Sequence, residues 1–231
     1  MKKAVAWSWA MVFLAACAGA WAQAYPSKPI RIVVGFPPGG GNDLIARLVG
    51  AKMQDSWGQA VVIENRPGAN SIIAAEYVAK SAPDGYTLLV NATGGMSVNP
   101  VLYEKLSYDS VRDFVPISIV GSFPLVLIVN PSVPVNSVPE LIAYAKANPG
   151  KLNYSSGSTA FRVATEMFRQ MTAIDLRHIP YKGSVQSLTA VISGDVQMTI
   201  VDTLPLVPPV TSGKVRALAV PSAQRAKGLP D

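Results

Sequence analysis

Apolar residues in this chain fall into short runs separated by Gly, Pro and polar positions. Residues 29–36 and 60–64 are rich in β-branched side chains and do not alternate with polar ones. That pattern predicts strands buried on both faces, as in a parallel sheet. Between them Leu44, Ile45, Leu48, Val49 and Met53 recur at helical spacing, which predicts a helix over 42–57 with these residues turned to the core. Asn42 is placed as its N-cap and Asp43 in its positive first turn. A second helix is expected over 71–81, after the turn Asn65-Arg66-Pro67-Gly68. Pro83-Asp84-Gly85 ends it, and a strand follows over 86–91. Trp57 and Tyr77 sit at helical core spacing. The order β-α-β-α-β opens a doubly wound α/β domain.

A second series follows. Strands are expected over 115–121 and 125–130, on either side of Ser122-Phe123-Pro124. Ser137-Val138-Pro139-Glu140 reads as a capping box opening a helix that ends near Asn148-Pro149-Gly150. A short strand over 152–155 runs through Gly157-Ser158-Thr159 into a helix carrying Val163, Ala164, Met167, Phe168 and Met171. Further strands are expected over 176–179, 196–201 and 215–220, with a helix over 185–193. Lys182-Gly183 is taken as a surface turn. The fold class is therefore α/β, with a second β-α-β series after the first doubly wound one.

The first residues alter the picture of where the chain works. Lys2-Lys3, the apolar stretch 4–20 and Ala22-Gln23-Ala24 have the layout of a secretory signal peptide over 1–24. Leu14-Ala15-Ala16-Cys17 also fits a lipoprotein cleavage site, which would leave the chain anchored at Cys17. The net charge of +6 includes Lys2 and Lys3, and the remaining basic residues form no run. A clustered basic face of the kind nucleic acid needs is absent from the sequence. Cys17 is the single cysteine and His178 the single histidine, which excludes a zinc site built from Cys and His ligands.

The chemistry sits in three loops. The run Gly35-Phe36-Pro37-Pro38-Gly39-Gly40-Gly41-Asn42-Asp43 joins a strand to a helix. It lacks the Lys-Ser/Thr of a P-loop and the G-x-G-x-x-G of a dinucleotide fold. What is left is backbone amides at a helix N-terminus, which suit a single carboxylate, or else simply a tight turn. Ala92-Thr93-Gly94-Gly95-Met96-Ser97 and Ser156-Gly157-Ser158-Thr159-Ala160 repeat the arrangement at the ends of two more strands. Open α/β sheets bind ligands at that edge, so the loops form one anion site if they converge. Asp202 ends an apolar strand, where it either touches a ligand or caps the segment starting Thr203-Leu204-Pro205. Gly-x-Ser-x-Gly does not occur, and the sequence sets no serine or acid beside His178, so a secreted hydrolase is the weaker alternative.

Motifs in one order extend this. Gly35 to Asp43 is followed by Val62-Ile63-Glu64-Asn65-Arg66-Pro67-Gly68-Ala69 and Ala82-Pro83-Asp84-Gly85-Tyr86-Thr87-Leu88-Leu89. Then come Asn99-Pro100-Val101-Leu102-Tyr103, the stretch 141–154, Ile179-Pro180-Tyr181-Lys182-Gly183 and the stretch 213–220. In these the chain resembles the tripartite tricarboxylate transporter substrate-binding proteins, the Bug-type periplasmic receptors. The resemblance implies a type II periplasmic binding protein without catalysis or cofactor. It holds a small carboxylate between two lobes and hands it to membrane permease subunits, or signals to a sensor kinase. By position it implies ligand contacts from Phe36, Pro38, Gly39, Gly40, Asn42 and Asp43, from Thr93, Gly94 and Gly95, and from Ser156, Ser158, Thr159 and Asp202. The implied division is lobe 1 over 25–122, with 221–231 returning to it, and lobe 2 over 123–220. Family members carry a longer loop after the strand at Tyr154 and continue past Asp231, so the C-terminal part of lobe 1 is expected to be missing.

Overall fold

A computed structural model describes residues 25–222, 226, 228 and 229. The leader expected over 1–24, with Cys17, lies outside the described residues. The first lobe is built on β1 (Ile30–Val34), α1 (Gly41–Trp57), β2 (Val61–Asn65), α2 (Ile72–Ala79) and β3 (Thr87–Val90). Its three strands are parallel in the order β2-β1-β3, with Ile30 opposite Val61 and Arg31 opposite Thr87. Central β1 is buried on both faces at Ile32, Val33 and Val34, which is why its sequence does not alternate. A single 3₁₀ turn, Ala69–Ser71, precedes α2, and a π turn, Gly94–Val98, leads from β3 into the short α3 (Asn99–Leu102).

The second lobe holds β4 (Leu125–Val129), α4 (Val138–Ala147), β5 (Asn153–Ser156), α5 (Thr159–Thr172), β6 (Arg177–Pro180), α6 (Ser184–Ser193), β7 (Met198–Asp202), α7 (Val207–Thr211) and β8 (Arg216–Ala219). The sheet order is β6-β5-β7-β4-β8, with β5 parallel to β6 and β7, and β4 antiparallel to β7 and β8. Side chains alternate across the sheet. Leu127 and Val129 of β4 join Leu141, Tyr154 and Met198 on one face, while Val126 and Ile128 join Leu188, Val191 and Val201 on the other. Two packed faces need an unbroken apolar strand, and 125–129 supplies it. The capping box forms: the Ser137 hydroxyl accepts from the Glu140 amide at 3.3 Å, and Glu140 accepts from the Asn136 amide at 2.7 Å.

Four sequence expectations are corrected. Helix α1 does not bury its Leu positions: Leu44 and Leu48 are exposed, and Gly41, Asp43, Ala46 and Gly50 face inward. A small-residue stripe lets the helix sit close on the sheet, since a Cβ on Gly50 would lie 3.0 Å from Ile63 Cδ1. Its N-cap is Gly40, in extended conformation and without a side-chain cap, rather than Asn42. Trp57 is exposed and meets the edge of Tyr25, with ring centroids 6.1 Å apart. Residues 115–121 form no strand, and Val115, Ile117 and Ile119 are 88%, 80% and 89% exposed. β-propensity becomes structure only against a partner strand and a packed face, and neither sheet reaches this segment.

Candidate interlobe anion site

The first loop is fixed from within its own lobe. Gly39 adopts φ +85°, a left-handed turn open to glycine. Its amide donates to Asp43 Oδ2 at 2.9 Å, and Arg47 Nε donates to the same oxygen at 2.9 Å. Asn65 Nδ2 donates both to Asp43 Oδ1 at 2.8 Å and to the Phe36 carbonyl at 3.0 Å. Burial alone would raise the Asp43 carboxyl, but the bonds from Arg47, Gly39 and Asn65 outweigh it and hold it below the usual carboxylate range. Both Asp43 oxygens are therefore engaged inside the lobe, and the side chain shapes the loop. Phe36 and Gly40 are buried, Asn42 is half-buried, and Pro38 and Gly39 are exposed.

The second loop rests on a strained turn. Ala69, Asn70 and Ser71 all have positive φ, at 45°, 52° and 68°. Such backbone costs roughly 1–2 kcal/mol per residue and persists where neighbours over-determine it. Here the Ser71 hydroxyl donates to Asn91 Oδ1 at 2.7 Å, and Asn99 Nδ2 donates to the Asn70 carbonyl at 2.9 Å. Ser71 is packed against Gly35 and Gly95 so closely that neither position has room for a Cβ. The Tyr108 hydroxyl donates to the Gly95 carbonyl. Gly94 and Gly95 are buried, and Thr93 is exposed.

Each hydroxyl of the third loop is already engaged. Ser156 Oγ lies 2.7 Å from His178 Nε2, so the fold sets beside the histidine a serine that the sequence keeps twenty-two residues away. The imidazole lies 4.9 Å, centroid to centroid, from the Tyr154 ring. Burial first, and Arg162 second, lower the His178 pKa below its ordinary value. Glu166, whose charge also acts on the imidazole, accepts from Tyr154 and Arg169, and among the described residues no carboxylate is hydrogen-bonded to His178. Ser158 caps α5 by accepting from the Phe161 amide at 3.3 Å. Thr159 Oγ1 crosses to the first lobe and donates to Asn99 Oδ1 at 3.0 Å.

A fourth segment, Gly183 and the first turn of α6, completes the cleft. Gly183 is buried, not a surface turn, and a Cβ there would lie 2.8 Å from Pro37 Cδ in the other lobe. Phe36, Pro37, Gly40, Gly41 and Asn42 line one wall, and Gly183, Ser184, Val185 and Gln186 the other. The N-termini of α1 and α6 thus face each other, neither with a side-chain cap. Unpaired first-turn amides and two positive helix ends favour a negative group there. Asp202 lies against two of these lining residues, Ser184 and Gly41. It is 5% exposed, its Oδ2 accepts from the Ser184 hydroxyl at 2.8 Å, and a Cβ on Gly41 would lie 3.3 Å from that oxygen. Asp202 Oδ1 is buried with no hydrogen-bond partner among the described residues. Burial raises the Asp202 pKa, with Ser184 opposing.

The structure thus joins all three sequence-predicted loops through a chain of contacts. Gly35 meets Ser71, Ser71 meets Gly95, Gly94 meets Thr159, Gly157 meets Gly183, and Ser184 meets Asp202 at Gly41. Sequence reasoning missed Ser71, Asn99 and 183–186. The last of these had a legible signal, since Gly183-Ser184 after a strand repeats the pattern of the other loops. Ser71 and Asn99 had none, because their role depends on strain and on crossing contacts. Among the described residues no group of His, Cys, Asp and Glu could hold a metal ion, and no helix is long and apolar enough to cross a membrane.

Residues 45–231 match the sequence model of the tripartite tricarboxylate transporter family receptor. Protein BugT of Bordetella pertussis is 39% identical over 213 residues, covering 90% of this chain and 65% of that protein. The chain therefore spans about two thirds of the length of curated relatives it matches. Rpa4515 of Rhodopseudomonas palustris, solved with adipate, is 37% identical with a TM-score of 0.85, over 87% of this chain and 68% of that one. MatC of Rhodopseudomonas palustris, solved with bound malate, is 29% identical with a TM-score of 0.81, over 87% and 69% respectively.

Proposed function

From the premise that this chain belongs to the tripartite tricarboxylate transporter receptor family, we propose that it captures a small organic carboxylate between its lobes and presents it to membrane permease subunits. The observation that carries this is the opposed, uncapped N-termini of α1 and α6 across one cleft. Adipate in Rpa4515 and malate in MatC point to dicarboxylates of four to six carbons. Gly40, Gly41 and Asn42 hold one carboxylate through backbone amides, with Phe36 as an apolar wall. Thr93, Gly94 and Gly95 and the hydroxyls of Ser156, Ser158 and Thr159 border the rest of the ligand. Asp43 acts behind them by shaping the first loop. The receptor does not transform its ligand, a reading supported by the Ser156–His178 pair, which has no orienting acid among the described residues. It works in the periplasm, exported through the leader over 1–24, with a lipid anchor at Cys17 as the other outcome of processing.

Micromolar capture needs about 8 kcal/mol, within reach of several charge-assisted hydrogen bonds in a closed cleft. Thermal melting of the 231-residue chain against a panel of mono-, di- and tricarboxylates tests it. Ligand at a hundredfold excess over Kd should add about 2.7 kcal/mol of stability. Stabilisation by at least one carboxylate, and none by the matching amides, is expected. A panel without any stabilising acid would sink the proposal.

A further inference from the structure

Among the described residues, Asp202 Oδ1 is a buried carboxylate oxygen that finds no donor. Buried acceptors are nearly always paired in native proteins, so an orphan calls for an explanation. Ser184 cannot supply the missing bond, because its one hydroxyl proton goes to Oδ2 at 2.8 Å. Nor is Asp202 remote from the cleft. It ends β7 and lies against Gly41, the first residue of the seventeen-residue helix α1, whose N-terminus has no side-chain cap.

Two features therefore share one carboxylate: its Oδ2 faces the helix end that favours an anion, and its Oδ1 wants a donor. An acid whose carboxylate sat at the first turn of α1 would place its next carbon near Asp202, which lies against Gly41. A bare methylene there would leave Oδ1 unpaired. A second carboxylate there would meet like charge. A hydroxyl or an ammonium on that carbon would satisfy the oxygen. A site with a buried acceptor rejects analogues that lack the donor, because the acceptor is then left unpaired. We propose that Asp202 is a specificity-determining residue that selects 2-hydroxy and 2-amino carboxylates through a hydrogen bond from that substituent to Oδ1. This rests on the carboxylate capture proposed above and adds which carboxylates are preferred.

Matched ligands test it on the full chain at pH 8 by calorimetry: succinate against malate and aspartate, and adipate against 2-hydroxyadipate and 2-aminoadipate. The readout is the ratio of Kd within each pair, for the natural chain, Asp202→Ala and Asp202→Asn. In the natural chain the substituted acid of at least one pair should bind about tenfold or more tightly than its parent. Asp202→Ala should bring that ratio to within about twofold of one. Asp202→Asn, whose amide oxygen still accepts, should keep part of the hydroxyl preference and lose the ammonium preference. Equal affinity for parent and substituted acids in the natural chain overturns the role of Asp202 while leaving carboxylate capture intact. So does a preference that survives both substitutions. Failure of every acid to bind overturns capture and selection together. Should Asp202→Ala not fold, the contrast between hydroxyl and ammonium in Asp202→Asn still decides.

Discussion

Thr159 of the second lobe donates a 3.0 Å hydrogen bond to Asn99 of the first, and Asn99 is fully buried. Asn99 also holds the carbonyl of strained Asn70 and lies 3.5 Å from the Tyr108 hydroxyl, which in turn holds the Gly95 carbonyl. One side chain thus links the crossing between lobes to both the strained turn and the second loop.

Thr159→Val keeps the shape and removes the donor, leaving Asn99 Oδ1 buried without it. An unsatisfied buried acceptor costs about 1–3 kcal/mol. That cost is felt only while the lobes are together, so it should appear as lost ligand affinity, roughly tenfold, when titrated by calorimetry. Because Thr159 acts through closure, chemically different acids should lose affinity by a similar factor. Unchanged affinity would show that the crossing bond does not support the closed state.

Gly94 gives a steric counterpart. A Cβ there would lie 2.7 Å from Thr159 Oγ1 and 3.2 Å from the Ala160 amide, both in the other lobe. Gly94→Ala should weaken binding at least as much as Thr159→Val, with the melting point of the ligand-free chain little changed. Adding Thr159→Ala removes the nearer clash, so the double variant should bind better than Gly94→Ala alone. Strict additivity of the two losses would count against a shared contact.

Asp43 predicts an acid dependence. Its folded pKa lies below the ordinary value because bonds from Arg47, Gly39 and Asn65 overcome the effect of burial. A carboxyl depressed in the folded state adds stability above its unfolded pKa, about 3.9, and that stability is lost as pH falls through the folded value. Urea unfolding at pH 7 should show Asp43→Ala destabilised by about 2 kcal/mol, with the gap shrinking toward pH 3. A gap independent of pH would mean that packing, not the ionised bonds, holds the loop.

The elements that were legible in the sequence were those whose partners lie close in the chain or whose burial is complete on both faces. β1, α1 and β4 came from that signal, as did the capping box at Ser137, whereas β2 forms as a strand but at the sheet edge, with Val62 exposed rather than buried on both faces. The inward face of α1 was not legible, because periodicity favours Leu44 and Leu48 while the close approach to Ile63 selects Ala46 and Gly50. The loops at 35–43, 92–97 and 156–160 were legible as strand-to-helix glycine turns. Their convergence was not, since Asn99 and Thr159 are sixty residues apart and meet only through the packing of two lobes. Asp43 shows a different limit: its position in the sequence fits a ligand contact, and only the fold shows that both its oxygens also bond within the lobe.

Segment 115–121 predicts behaviour in solution. Val115, Ile117 and Ile119 are β-branched, consecutive on alternate positions and almost fully exposed. An unpaired apolar segment of this composition invites strand addition between chains. Ile117→Lys with Ile119→Lys should lower light scattering at high protein concentration. Substitutions without buried contacts shift stability by no more than about 0.5 kcal/mol, so the melting point should hold. A large fall in melting point would mean that the segment is packed in solution.

Asp202 gives the opposite pH signature to Asp43. Burial raises its folded pKa above the unfolded value of about 3.9, and the Ser184 bond only partly offsets this. Between those two pKa values the folded chain keeps a proton that the unfolded chain has shed. Stability therefore falls as pH rises through that window, and above it the cost of the buried charge stays constant. Asp202→Asn removes the ionisation and keeps the shape. The ligand-free variant should melt at least about 2 °C above the natural chain at pH 8, the shift that roughly 1 kcal/mol brings in a chain of this size. The gain should shrink as pH falls toward the unfolded value, because the raised folded pKa lets the natural side chain take up its proton in the fold first. A carboxyl that must be neutralised or paired to be comfortable is one that a ligand can reward, so the same variant should gain less stability than the natural chain when a 2-amino acid ligand is added. An Asp202→Asn chain that melts lower throughout this range would mean that the charge is satisfied in the ligand-free fold, and the orphaned oxygen would then give no drive for ligand selection.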